Sequence, residues 1–257
     1  MIRIAQALKI CSETPLLDAR FFWEFHKGQP SESEVSDFIE RRRQGEPVSK
    51  IIGRRGFWKR DFIVSCDVLD PRPDSETLIE TVLRFYPDRT KNYRILDIGT
   101  GSGCLLLSLL DEYSQAQGVG IDKSEKALCI AQQNDVHKRA CFCQADFTDK
   151  SFGTTLGEFD IIVSNPPYIP TNDIESLDKA VRCYDPVLAL DGGLDGLTAY
   201  RQLSCHLSRL MKSNTLAFFE IGQGQEKDVI HLMEEKGYQC IEQVRDLGQI
   251  IRVLVFQ

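Results

Sequence analysis

The chain has 257 residues, 42% of them hydrophobic and 27% charged, with a formal net charge of −7. This length fits one large domain or a main domain with a smaller companion, and the composition is that of an ordinary globular fold with enough apolar residues for a proper core. The first residues, MIRIAQALKICSE, carry no apolar signal core, and no apolar run is long enough to span a membrane, so neither a secreted nor a membrane-embedded protein is expected.

The first 90 residues read as helical and then extended. PLLDARFFWEF (15–25) has apolar residues at helical spacing. Ser31 and Glu34 form a capping-box pattern that opens a second helix, which Gly45 is expected to stop. Residues 51–66 lose the helical period and look like two short strands with glycines at the bends, a hairpin. The prolines of DPRPDSETLIETVLRF then restart a helix, with Asp74 or Ser75 as its expected N-cap. These segments suggest a helical unit over 1–48, a hairpin linker over 49–72 and a main domain over 73–257.

From Tyr93 short apolar runs alternate with helical segments. Strands are expected at 93–99, 118–122, 140–146, 159–165 and 215–222, followed by a final antiparallel pair joined at Leu247 and Gly248. The pattern predicts an α/β fold, a mostly parallel seven-stranded sheet covered by helices on both faces.

Charge is uneven along the chain. Residues 1–90 balance 15 basic against 15 acidic residues, while 41–60 alone hold eight basic residues and one acidic one. This local basic stretch is either a solvated surface that caps a helix end or a docking surface for an acidic partner. The nine cysteines have no C-x-x-C pair, and His26, His137, His206 and His231 have no ligand spacing. Reduced thiols in a cytoplasmic protein are expected, with no disulfide framework and no metal.

LDIGTGSGC (96–104) lies between the first strand of the main domain and its helix. Glycines there allow a tight turn and close approach to a ligand, at a helix start that offers free N–H groups. The spacing is G-x-G-x-G, which differs from the dinucleotide fingerprint. Asp122, at the end of the next strand, is placed to accept both hydroxyl hydrogens of a ribose; as an alternative it only caps the following helix. Asp146 and Phe147, after the third strand, suit an adenine amine and an adenine ring.

The fourth strand ends in NPPY (165–168). Pro166 and Pro167 have no N–H, so the loop offers only acceptors there. The Asn165 side-chain carbonyl and the Pro166 carbonyl match the two hydrogens of an NH₂ group, and Tyr168 adds a flat surface for stacking. The segment reads as a clamp for a planar, conjugated amine, either a nucleobase amine or a carboxamide; a turn after a buried strand, without chemistry, is the plainer alternative. Such nitrogens are poor nucleophiles and need a strong electrophile. The sulfonium methyl of S-adenosylmethionine is one, and its nucleoside half suits the glycine loop.

The segments ILDIGTGSG, GVGIDKSEKAL, VSNPPYIP, DPRPDSET and YDPVLALDGGLDGLTAY together resemble the HemK/PrmC family, the N5-glutamine methyltransferases of peptide chain release factors. The resemblance runs from about residue 15 to the end. It implies a Rossmann-like class I methyltransferase sheet with a small helical N-terminal substrate-recognition domain. It implies that Gly99, Thr100, Gly101, Ser102, Gly103, Asp122, Phe147 and Asn165 contact S-adenosylmethionine. Asn165, Pro166, Pro167 and Tyr168 would hold the glutamine of a Gly-Gly-Gln motif, with Asn165, Pro166 and Tyr168 serving catalysis and Arg72 on the substrate side. A release factor is the implied partner, with no nucleic acid required and the chain acting as a monomer. Asp185 stands where the family often has Glu, PRPDS replaces PRPET, and Phe147 replaces a frequent tryptophan. NPPY alone is shared with DNA adenine and rRNA guanine methyltransferases. Methylation of DNA or rRNA therefore stands as the enzymatic alternative, and a non-catalytic S-adenosylmethionine-binding adaptor as another.

Overall fold

The computed structural model describes residues 1–257. Four helices come first, α1 (Ile2–Leu8), α2 (Pro15–Phe25), α3 (Glu32–Arg43) and α4 (Val48–Ile52), followed by a hairpin of β1 (Arg54–Phe57) and β2 (Arg60–Ile63). Helix α3 starts with the expected capping box, in which Ser31 accepts from the Glu34 N–H while the Glu34 carboxylate accepts from the Ser31 N–H. Ile4, Leu8, Phe22 and Phe38 bury a small core of their own. The short apolar runs of α1 and α4 show too little periodicity to be read as helices, and α4 lies across the expected boundary at 48/49.

The rest of the chain contains α5 (Glu76–Phe85), β3 (Arg94–Ile98), α6 (Cys104–Glu112), β4 (Gln117–Asp122), α7 (Glu125–Asn134), β5 (Ala140–Gln144) and β6 (Phe159–Ser164). It continues with α8 (Lys179–Arg182), α9 (Thr198–Ser204), β7 (Met211–Glu220), α10 (Glu226–Glu234), β8 (Cys240–Arg245) and β9 (Ile251–Phe256). The seven strands run in the order β5-β4-β3-β6-β7-β9-β8, parallel through β7, with β9 antiparallel to both β7 and β8. This is the expected sheet. The alternation of strand side chains divides the core between its two faces. Ile95, Ile161, Val163, Phe218 and Val255 pack with α5 and α6. Leu96, Ile162, Phe219 and Leu254 pack with α9 and α10.

The chain moves outward from β3 through β4 to β5, then returns to β6 on the other side of β3. The reversal leaves a crevice at the carboxyl ends of β3 and β6, where open α/β sheets place ligands. Ser164 Oγ donates to Ile98 O at 2.6 Å and fastens the two strand ends together there.

Candidate active site

The glycine loop is shaped by its own bonds. The Gly99 and Thr100 N–H groups both donate to Ile121 O at 2.8 Å, and Thr100 Oγ1 donates to the buried Asp97 carboxyl at 2.6 Å. Gly99 and Gly101 have φ of +76° and +54°, which L side chains rarely adopt, and a Cβ on either would meet nothing within 4 Å. The loop therefore borders free space. That space is a cavity of about 250 Å³, walled by Gly99, Thr100, Gly101 and Ser102 on this side. Gly103 is the N-cap of α6 and is not part of the wall.

Asp122 faces the same cavity. Its two oxygens accept the Gly101 and Ser124 N–H groups, each at 2.9 Å, and burial raises its pKa. Helix α7 is capped by Ser124, which accepts from the Ala127 N–H, so capping does not account for the Asp122 carboxylate. Asp146 and Phe147 also line the cavity. Lys123 and Thr148 hold Asp146 in place, at 2.8 Å and 2.7 Å.

Asn165 and Pro167 line the same cavity from the end of β6. The Asn165 Nδ2 donates to Ser75 Oγ at 3.3 Å, which orients the amide with its oxygen turned away from that bond. Ser75 was an expected helix cap, but its hydroxyl makes no cap bond to α5. Behind it sits the fully buried Glu220, whose carboxyl burial pushes up to about 7 while Ser75 draws it down. Pro166 is buried and Tyr168 half-buried, and neither is part of the cavity wall. Tyr168 packs against the second core, and burial lifts its phenol to about 12.

Arg72 lines the cavity, and its Nη2 pairs with Asp185 at 2.6 Å. The arrangement behind that pair was not visible in the sequence. Lys50, with only 3% of its side chain exposed, reaches Asp70 and Asp185 at 2.9 Å each and donates to the carbonyls of Ser65 and Val68. Ser49 also donates to Asp70. Helix α4, the linker and the loop after α8 thus meet in a cluster of two carboxylates and Lys50, all buried, with the partly exposed Arg72 at its edge. Only the sequence distance between the charges, from 50 to 185, concealed it.

The cluster also changes the meaning of the basic stretch. Arg41 pairs with Glu46, Arg42 with Asp18, Lys59 with Glu112 and Arg60 with Asp111. With Lys50, five of its eight cations pair with carboxylates of the same chain, Lys59 on the surface, and Arg43, Arg54 and Arg55 form no ion pair.

Comparison with known proteins places the chain in a family. The methyltransferase domain family matches residues 89–252. The release factor glutamine methyltransferase of Caulobacter vibrioides is 43% identical over 225 residues, covering 86% of this chain and 76% of that protein. The one from Agrobacterium fabrum is 40% identical over 232 residues, covering 89% of this chain and 80% of its own length. A solved structure, the protein-(glutamine-N5) methyltransferase (release factor-specific) from Alicyclobacillus acidocaldarius, is 27% identical over 76% of this chain and 98% of that one, with a TM-score of 0.47. The chain belongs to the release factor glutamine methyltransferase family.

Proposed function

We propose that the protein methylates the side-chain amide nitrogen of the glutamine in a release factor's Gly-Gly-Gln motif, using S-adenosylmethionine. The observation that carries this reading is the cavity that joins the glycine loop and Asp122 to Asn165. The identity to the relatives also extends into the N-terminal helical part. That supports the reading over methylation of DNA or rRNA, as does the internal pairing of most of the basic stretch.

The residues fit the methyl donor. The space above Gly99 and Gly101 admits a ligand at van der Waals distance, and the buried Asp97 Oδ1 under the loop has no hydrogen-bond partner within the protein. Gly99 to Ser102, Asp122, Asp146 and Phe147 would hold the nucleoside half. When bound, S-adenosylmethionine supplies a methyl group activated by a cationic sulfur.

The chain's own residues act on the amide. Ser75 fixes the Asn165 amide, so that its carbonyl oxygen is free to accept one hydrogen of the substrate NH₂. Pro166 itself is buried behind the wall, but its neighbours Asn165 and Pro167 line the cavity, and in this reading its carbonyl accepts the other as the substrate enters. Two fixed acceptors favour a pyramidal nitrogen and aim its lone pair, so positioning and electrostatics supply most of the rate. The nitrogen becomes acidic as the methyl arrives, and no strong base is required.

The helical unit over 1–48 serves as the recognition module in this reading, with 49–72 as linker and 73–257 as the catalytic domain. Leu17, Phe21 and Phe25 of α2, spaced four residues apart, are 46%, 47% and 44% exposed and offer an apolar face to a protein partner. The protein acts as a monomer in the cytoplasm, where its substrate works, without nucleic acid. No helix is long and apolar enough to cross a membrane.

The test is transfer of labelled methyl from S-adenosylmethionine to a purified release factor, with the product located by peptide mapping. Label is expected on the Gly-Gly-Gln glutamine. An asparagine in its place withdraws the amide by one methylene, about an ångström, and should cost roughly a hundredfold in rate. Label that is resistant to protease and released by nuclease would overturn the reading.

A further inference from the structure

The turn after β7, GQGQ at 222–225, has no part in the function described above, yet it reaches the NPPY loop. Gln225 Oε1 accepts from the Gly222 N–H at 2.9 Å, which fixes the orientation of the side-chain amide. Its Nε2 then donates to Tyr168 O at 2.9 Å and to Gly196 O at 3.4 Å. One side chain thus joins the NPPY loop, the DGGLDGL loop and the end of β7, with both its hydrogens and its oxygen engaged.

The glycines around it explain themselves by this bond. A Cβ on Gly196 would overlap Tyr168 O and stand 2.7 Å from Gln225 Nε2, and one on Gly222 would stand 2.7 Å from Gln225 Oε1. Either would displace the amide. Further along, Ile169 is held by main-chain bonds, its N–H donating to Leu190 O and its carbonyl accepting from the Gly192 N–H. The Tyr168 carbonyl shares a peptide unit with the Ile169 N–H, and the Gln225 side chain is the tie on the oxygen side of that unit.

We propose that Gln225 is a positioning residue for the amide clamp, holding the Tyr168 carbonyl and, through it, the backbone course of Asn165–Tyr168. This inference rests on the proposed function, in which that loop holds the substrate amide. Held at both its N–H and its oxygen, the Tyr168–Ile169 peptide unit anchors the end of the loop, and the ring-fixed φ of Pro166 and Pro167 limits how far the Pro166 carbonyl can turn from it. A loop displaced by an ångström can lose about a hundredfold in rate while the nucleoside wall, on other strands, stays intact.

Gln225→Glu separates positioning from packing. The variant has nearly the same shape, but its carboxylate faces the carbonyls of Tyr168 and Gly196 with no hydrogen to donate. One oxygen keeps the Gly222 N–H, but the two carbonyl acceptors at the other disfavour the charged form and raise its pKa, so lowering the pH restores an O–H donor there. Glu220, which burial pushes up to about 7 and which lies near Tyr168, titrates in the same range but is common to wild type and variant and cancels in their ratio. Tyr168 is lifted to about 12 by burial, and Asp195, beside Gly196, is held down to about 2 by Arg201. Glu226, the neighbouring carboxylate, is common to wild type and variant and cancels in their ratio.

The experiment measures single-turnover methylation of a release factor by wild type, Gln225→Glu, Gln225→Met and Asn165→Ala, with S-adenosylmethionine affinity measured calorimetrically on the same preparations. At pH 8 both Gln225 variants should turn over roughly 10- to 100-fold more slowly, with donor affinity within about threefold. Between pH 8 and pH 6 the ratio of Gln225→Glu to wild type should rise by roughly tenfold, while that of Gln225→Met stays flat. Slow turnover by Asn165→Ala with near-normal turnover by both Gln225 variants would overturn the inference and leave the proposed function standing. Near-normal turnover by Asn165→Ala would overturn both. A lower melting temperature with unchanged turnover per folded molecule and a flat pH ratio would assign Gln225 to packing alone and also overturn it.

Discussion

Ser75 Oγ stands 3.3 Å from Asn165 Nδ2, across 90 positions of sequence. A helix start that gives up its cap bond to hold a strand-end amide sacrifices about 1 kcal/mol of local stability. What it obtains is one orientation of Asn165. Were the amide turned over, an N–H pair would face the cavity where the clamp needs an acceptor.

Ser75→Ala should therefore affect turnover more than folding. The Asn165 amide loses its anchor but keeps its acceptor, so kcat should fall by about tenfold, the worth of one ordinary hydrogen bond. Ser75→Thr, which keeps the hydroxyl, should recover most of it. Single-turnover rates for the three proteins at saturating methyl donor decide the matter; equal rates for all three would mean that the Asn165 orientation is set elsewhere.

Truncating the amide itself is the harsher change. In Asn165→Ala one hydrogen of the substrate NH₂ goes unpaired in a closed site and the lone pair is no longer aimed. By analogy with removal of one oxyanion-hole donor, kcat should fall by roughly 10²–10³-fold. Donor affinity, measured by calorimetry, should change far less, because Gly101, Asp122 and Phe147 remain. Turnover within about fivefold of wild type, about 1 kcal/mol of barrier, would remove Asn165 from the mechanism.

Asp97 gives a pH signature. Burial, with the Asp122 charge adding to it, pushes its carboxyl up to about 7, against the pull of the Thr100 hydroxyl. From about pH 4 to 7 the folded protein then retains a proton that the unfolded chain has lost. The contribution is fully present below about pH 4 and is lost as pH rises through 7. Asp97→Asn keeps an acceptor for Thr100 without the titration. Relative to wild type, the variant should gain stability between pH 5 and 8 by roughly a few kcal/mol. Urea midpoints at the two pH values measure this, and curves that run parallel would show that Asp97 stays ionised in the folded protein.

The sheet was legible in the sequence because most of its strands are short apolar runs bounded by turn residues, and because NPPY and the glycine loop fall at strand ends, where position and chemistry coincide. The charge cluster at Lys50 was not legible. Its members, Lys50, Asp70, Arg72 and Asp185, look like ordinary surface charges until the fold assembles them. Ser75 stands at the expected N-cap position of α5, but its hydroxyl makes no cap bond and meets the tertiary neighbour Asn165 instead, which no local pattern shows. The 41–60 stretch looked more basic than it is, since its partners Asp18, Asp111 and Glu112 lie on other elements.

That cluster sets where the helical module can be cut away. Deleting residues 1–46 removes α1 to α3 but leaves Lys50 in place between Asp70 and Asp185. Donor affinity should stay within about threefold of wild type, since the cavity wall begins beyond the cut. Methylation of an intact release factor should fall by roughly a hundredfold, because remote contacts help to place the glutamine. Deleting residues 1–70 is a different change. It removes Asp67, Val68, Leu69 and Asp70 from the cavity wall and leaves Asp185 with Arg72 as its ion-pair partner. Donor affinity should then fall by about tenfold or more, some 1.4 kcal/mol. Lys50→Met in the full chain isolates the charge effect, since it leaves two buried carboxylates to one arginine and should cost about 3–5 kcal/mol of stability. The comparison needs calorimetric donor binding, urea midpoints, and methylation of both a whole release factor and a short Gly-Gly-Gln peptide. The shorter deletion should lose activity on the factor and keep it on the peptide. If it methylates the whole factor as fast as the intact protein does, the helical module has no part in recognition.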